Sequence, residues 1–224
     1  MLSPRNTAMI AGILYLLTFA TSIPALILKT PALEGTSSAG LSIAILLELL
    51  LALSCVGTAI VLYPLTRQVS EIGALGFVAS RTIEAALVGV GAVTLLALAV
   101  IDRSGNADAR PVLVALHDAT FLVGPGLLPA VNAVLLGSVL YRARLVPRFI
   151  PVIGLIGAPL LAASAVATLL GVFSQVSPLA GAAALPIALW EFLIGAWLVI
   201  RGFSAPALAS LSGVASPEAK TLSR

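Results

Sequence analysis

The sequence predicts an all-α, polytopic integral membrane protein, a bundle of six transmembrane helices. Two observations carry that prediction. Of 224 residues, 60% are apolar and only 9% are Asp, Glu, Lys or Arg, against roughly 25% charged in an average soluble domain. A body this size has too little interior to hide so much apolar side chain from water, so its solvent is lipid. The apolar residues are also gathered into six runs, 8–28, 41–64, 77–101, 112–140, 150–173 and 179–200. Each run meets the ~20 residues needed to cross a ~30 Å hydrocarbon core. This composition excludes intrinsic disorder and a nucleic-acid-binding domain, and a single cysteine, Cys55, excludes an intrachain disulfide.

The first run, Ala8–Leu28, follows Arg5. It exceeds the ~7–15 residues of a signal-peptide core and has no clear small-x-small site before Pro24, so it reads as a retained helix. A turn-rich stretch with Thr30-Pro31 and the Gly35–Gly40 cluster leads to the second run, Leu41–Pro64, which holds Glu48. The third, Phe77–Ile101, carries Arg81 and Glu84. Ser104-Gly105-Asn106 then turns the chain into Val112–Leu140, the longest run, with His117 and Asp118 near its start. Ile150–Phe173 and Leu179–Ile200 follow, joined by the tight Ser174–Pro178 connection. All six read as helices, because a segment in lipid must satisfy its own backbone hydrogen bonds, and none shows the alternation of a barrel strand. Residues 1–203 read as the transmembrane domain, and the Ser/Ala/Pro-rich 204–224 as a flexible cytoplasmic tail.

Charge sets the expected orientation. Arg5, Arg67, Arg81, Arg142, Arg144, Arg148, Arg201, Lys220 and Arg224 fall on one side of the membrane. Lys29, Arg103 and Arg110 fall on the other, offset by Glu34, Asp102 and Asp108. The excess of Lys and Arg on cytoplasmic loops places both termini in the cytoplasm of a multi-pass inner-membrane protein. The bilayer is the expected partner. The Arg142, Arg144 and Arg148 cluster suits anionic lipid heads, although a topology anchor is the plainer role.

A charged side chain at the centre of a membrane helix costs about 2.5–3.5 kcal/mol. Such residues therefore face the bundle interior and find partners. Depth along each run groups them in two layers: Arg81, Glu84 and Glu191 towards the cytoplasm, and Glu48, His117 and Asp118 towards the outside. Arg81 and Glu84, three apart, share a helix face, and one guanidinium has donors enough for two carboxylates. A structural role, fixing helix register, competes with a functional one in both layers, and Arg81 has the alternative of snorkelling to the interface. His117 and Asp118 are adjacent and point about 100° apart on a helix.

Gly124-Pro125-Gly126 and Pro129 mark a candidate helix break in mid-membrane, with Asn132 one turn on to cap a freed backbone group. Breaks of that kind build sites in transporters; a kink that aids packing is the competing cause. Ala163, Ala167 and Gly171, and Ala85 with Gly89, are spaced as close-packing faces. One histidine and one embedded cysteine cannot make a zinc site. No phosphate-binding loop and no nucleophile elbow are present, so no cofactor is implied.

Four strings carry a family resemblance: Arg5 with Ala11 to Leu17, Ala79 to Ala85, Leu140 to Arg148, and Glu191 with Gly195 to Phe203. In this order they resemble the bacterial membrane-protein family known as domain of unknown function 4386, over about Arg5 to Phe203. The resemblance implies a multi-helix bacterial inner-membrane protein with Arg81, Glu84 and Glu191 in its recurring strings, and no activity. The first functional reading is a non-enzymatic membrane protein acting through partners or lipids. The alternatives are a small proton-coupled carrier using the intramembrane carboxylates and, last, an intramembrane enzyme. The carrier reading requires a water-reachable cavity between the charged layers; a dry, closed core would remove it.

Overall fold

A computed structural model describes residues 3–104, 108–211 and 213. Seven helices make up the described chain: α1 (Pro4–Leu33), α2 (Leu41–Thr66), α3 (Glu71–Ser104), α4 (Arg110–Ala143), α5 (Phe149–Leu169), α6 (Pro178–Ile200) and α7 (Ala205–Leu211). The first six are long and apolar enough to cross a membrane. Helix starts are built as their sequences dictate. Ser3 and Ser177 cap α1 and α6, each accepting from a backbone amide three residues on, and a proline occupies the first turn behind each cap.

The helices form a closed ring. Each of the six packs against its sequence neighbours, and α6 closes back on α1. Short connections make neighbours antiparallel. The Arg5, Arg67, Arg144, Arg148 and Arg201 side chains therefore gather at one end, the arginine-rich end, and the α1–α2, α3–α4 and α5–α6 connections at the far end. Tyr15, Phe77, Leu136, Leu140, Trp190, Ile194 and Leu198 fill the centre of the ring. A smaller apolar cluster of Ala32, Leu41, Ile45, Ala92, Leu95 and Ala99 holds α1, α2 and α3 together at the far end. Outward faces carry bare aliphatics such as Ile27, Leu46, Leu53, Ile60, Val93 and Leu185, each more than half exposed. Hydrocarbon is the solvent in which such a surface is stable.

Several boundaries differ from the apolar runs. α1 continues past Lys29 to Leu33 because Lys29 is buried and paired, so the charge does not end the span. α3 and α4, 34 residues each, are about 51 Å long and exceed the hydrocarbon core, so they tilt or project. α5 stops at Leu169, where Gly171 takes a left-handed φ of 74°. Ala205–Leu211, expected to be loose tail, form the short helix α7, whose Ala207 is buried on the core. The Gly105-Asn106 turn and most of the remaining tail lie outside the described residues.

The proposed break in α4 is absent: the helix runs unbroken from Arg110 to Ala143 through Gly124, Pro125, Gly126 and Pro129. Neighbouring helices and local adjustment make a proline tolerable inside a membrane helix. The expected close-packing faces are met only in part: Ala85 is buried. Ala163 and Gly171 are exposed, and a Cβ on Gly89 or Gly171 would meet nothing within 4 Å. The tightest approaches involve α6. A Cβ on Gly12 would lie 2.7 Å from the Gly195 carbonyl oxygen, and one on Gly154 would lie 2.6 Å from the Trp190 ring.

Candidate functional site

The inner layer is built on α3. Arg81 sits one turn before Glu84, and its Nη1 donates to Glu84 Oε2 at 2.8 Å. Its Nη2 donates across the ring to Glu191 Oε1 on α6 at 3.1 Å. The same Glu84 oxygen accepts from Asn132 Nδ2 on α4 at 2.7 Å. Arg81 is 1% exposed, and its guanidinium lies over the Tyr15 ring of α1, 5.2 Å from the centroid. Cys55 of α2 sits 3.7 Å from Nη1. One guanidinium thus meets side chains of α1, α2, α3 and α6, and Glu84 adds α4. Arg81 does not snorkel, and Asn132 serves as a partner for Glu84 and not as a backbone cap.

The outer layer is assembled from three helices. Lys29 of α1 donates from Nζ to Glu48 Oε1 of α2, and both are buried. His117 of α4 brings its Nε2 to 3.9 Å from the same oxygen. Phe121, one turn below His117, stacks on the imidazole, and the Lys29 ammonium lies 4.3 Å from its ring centroid. Asp118 departs from the expected cluster. Its side chain is 60% exposed, with only a 3.4 Å contact to His117 Nδ1. The angular separation of successive helical residues turns it away from Glu48.

Space is distributed unequally between the layers. A cleft of about 610 Å³ opens at the far end, lined by Glu34, Asp118, Ser174 and Gln175, and reaches Lys29, His117 and Phe121. Those last three also line a small cavity of about 40 Å³ with Glu48, Ser22 and Gly91. Glu48 Oε2 and Gln175 Nε2 are buried without a hydrogen-bond partner among the described residues. A Cβ on Gly91 would lie 3.7 Å from that Glu48 oxygen, so the missing side chain keeps space open beside it. Glu84 and Gly91 are two turns apart on α3, which puts about 10 Å between the layers. Neither the cleft nor the small cavity is lined by Arg81, Glu84 or Glu191.

The profile of a domain of unknown function, DUF4386, matches residues 10–202, most of the chain. The chain belongs to the DUF4386 family. No curated protein and no solved structure matches it. Family membership and six apolar helices make this DUF4386 member a multi-pass integral membrane protein of unknown function. Among the described residues, no group of three or more His, Cys, Asp or Glu is placed to hold a metal ion.

Sequence reasoning missed Lys29, assigned to a loop because it follows the last long apolar run of α1. The usable signal was Ala32-Leu33 beyond it, which continue the helix into the buried far-end cluster. Gln175 and Thr120 were also passed over. Thr120 donates its hydroxyl to the His117 carbonyl and faces the small cavity. Neither carries a charge, so neither stands out against a background of serines and threonines.

Proposed function

We propose that this DUF4386 member is a small proton-coupled carrier of the bacterial inner membrane, with both ends in the cytoplasm and its outer end open. The distribution of arginines between the two ends supports the orientation. One observation carries the functional reading: the far-end cleft reaches Lys29 and His117 of the outer buried group, whereas it does not reach Arg81, Glu84 or Glu191. A buried polar group reached by a cleft from one end only has the form of one state of an alternating-access cycle. In such a cycle, a proton taken by Glu48 frees the Lys29 ammonium for a solute entering the cleft. His117 stands 3.9 Å from Glu48 as a further proton acceptor. Gln175 and Lys29 supply donors for a small polar solute.

An enzyme would require a nucleophile hydrogen-bonded to a base. A Ser54–His117 dyad, which the sequence allows on paper, is not formed: the Ser54 hydroxyl donates to the Leu50 carbonyl at 2.7 Å. The test is proton entry into liposomes that hold the full chain and a pH-sensitive dye, under an imposed potential, with amino acids, sugars and nucleosides added in turn. A solute that accelerates proton entry in native vesicles, and leaves folded Glu48→Gln vesicles silent, supports the carrier. If no solute in that panel accelerates entry, the proposal fails.

A further inference from the structure

The arginine-rich end carries a second cleft, of about 490 Å³, that is independent of the carrier reading. It is lined by Arg144 and Arg148 from the α4–α5 turn, and by Trp197, Arg201 and Phe203 from the end of α6. Two separate segments thus bring three guanidinium groups to one concavity. Among the described residues, none of the three forms an ion pair, whereas Arg110 at the far end pairs with Asp102. Like charges held together without a counter-charge raise the local potential, and an anion relieves it.

The backbone is built to hold this arrangement. Arg144 closes α4 in a left-handed conformation, φ 53°, which non-glycine residues rarely adopt. The turn buries Leu145 and Val146 in the core and leaves Arg144 and Arg148 exposed. Arg148 lies over the Tyr141 ring at 4.9 Å from its centroid. The Ser204 amide donates to the Leu145 carbonyl at 2.9 Å, which ties the two walls together. A fourth guanidinium stands behind the cleft: Arg5 Nη2 donates to the Val199 carbonyl at 2.8 Å and closes the end of α6.

We infer that this cleft binds the phosphate headgroup of an anionic phospholipid. Three guanidinium groups suit a phosphodiester by charge and by paired donors. A lipid is favoured over a soluble anion by what borders the cleft. Ile200, next to Arg201, is 70% exposed, and Phe149, next to Arg148, is 55% exposed. Acyl chains have an apolar surface to follow beside the headgroup, and Trp197, which lines the cleft, is of a residue type that favours the membrane interface. Arg142, part of the cluster expected from sequence, does not line the cleft; Arg201 takes its place.

The full chain in nanodiscs of equal parts phosphatidylglycerol and phosphatidylcholine, released and analysed by native mass spectrometry, tests this. Native protein retains phosphatidylglycerol in preference. Arg144→Gln, Arg148→Gln and Arg201→Gln each lower that preference about fivefold, while Arg142→Gln leaves it within about twofold. Arg201→Gln keeps the test decisive even if the strained Arg144 position tolerates no change, because Arg201 lies beyond the last turn of α6. Equal retention of the two lipids overturns the proposal. So does an Arg142→Gln effect as large as that of Arg201→Gln, which would mark diffuse surface attraction. Displacement of the lipid by added inorganic phosphate at equal concentration would assign the cleft to a free anion and also overturn it.

Discussion

Arg81 and Glu191 are hydrogen-bonded at 3.1 Å although they belong to α3 and α6, helices on opposite sides of the ring. The guanidinium therefore spans the bundle interior, where bulk water does not screen the pair, and a second donor holds Glu84. Removing one member of a buried pair leaves the other uncompensated, at about 3–5 kcal/mol. Arg81→Gln should lose that much in unfolding experiments in detergent, because it strands two carboxylates. Glu191→Gln should lose only about 1–2 kcal/mol, since the amide oxygen still accepts from Arg81. Equal losses would show that the pair is not what couples α3 to α6.

Lys29 and Glu48 allow a cleaner measurement, because each has the other as its main charged partner. Lys29→Met and Glu48→Met should each destabilise by about 3–5 kcal/mol. The double variant should recover a large part of this, since both desolvation costs disappear together and the positions lie among apolar neighbours. A double variant as unstable as the sum of the singles would mean that the two do not interact.

The architecture was legible in the sequence because hydrocarbon imposes one requirement on every span: enough consecutive apolar residues, all helical. The six runs follow from that requirement, whereas the closure of α6 on α1 into a ring does not. What was not legible depends on helix rotation, which hydropathy does not encode. The spacing of Ala163, Ala167 and Gly171 is right for close packing, yet it says nothing about which way the face turns, and in the structure Ala163 and Gly171 are exposed and Ala167 is only half-buried. Lys29 misled in the opposite sense, since a lysine near a span end normally reaches for the interface and this one turns inward to Glu48. Arg81, Glu84 and Glu191 could be grouped by depth alone, but the role of Asn132 required knowing that α4 presents it to α3.

Close approach gives a prediction with a built-in control. Gly154→Ala places a methyl within 2.6 Å of the Trp190 ring, which is wholly buried and has no room to retreat. The expected loss is about 1–3 kcal/mol, with α5 and α6 pushed apart. Gly89→Ala puts the same methyl where nothing lies within 4 Å. It should be neutral or stabilising by about 0.5–1 kcal/mol, through the better helix propensity of alanine. Paired melting curves decide the matter, and matching shifts for the two variants would contradict the α5–α6 contact.

Accessibility separates the cleft from the core. Cys55 is 1% exposed and embedded beside Arg81, so a water-soluble maleimide should not modify the native protein in membranes. Asp118 faces the far-end cleft with its side chain 60% exposed. Asp118→Cys should therefore react readily, and it should change stability by no more than about 0.5 kcal/mol, as exposed substitutions do. Arg148→Cys, exposed at the opposite end, should react only when the reagent reaches the other face of the membrane. Most of α4, about 38 Å from Asp118 to the helix end, separates the two positions, so labelling from one side must divide them. Simultaneous labelling of both from one side of sealed vesicles would refute the antiparallel threading of the ring, and with it the outward opening on which the carrier proposal depends.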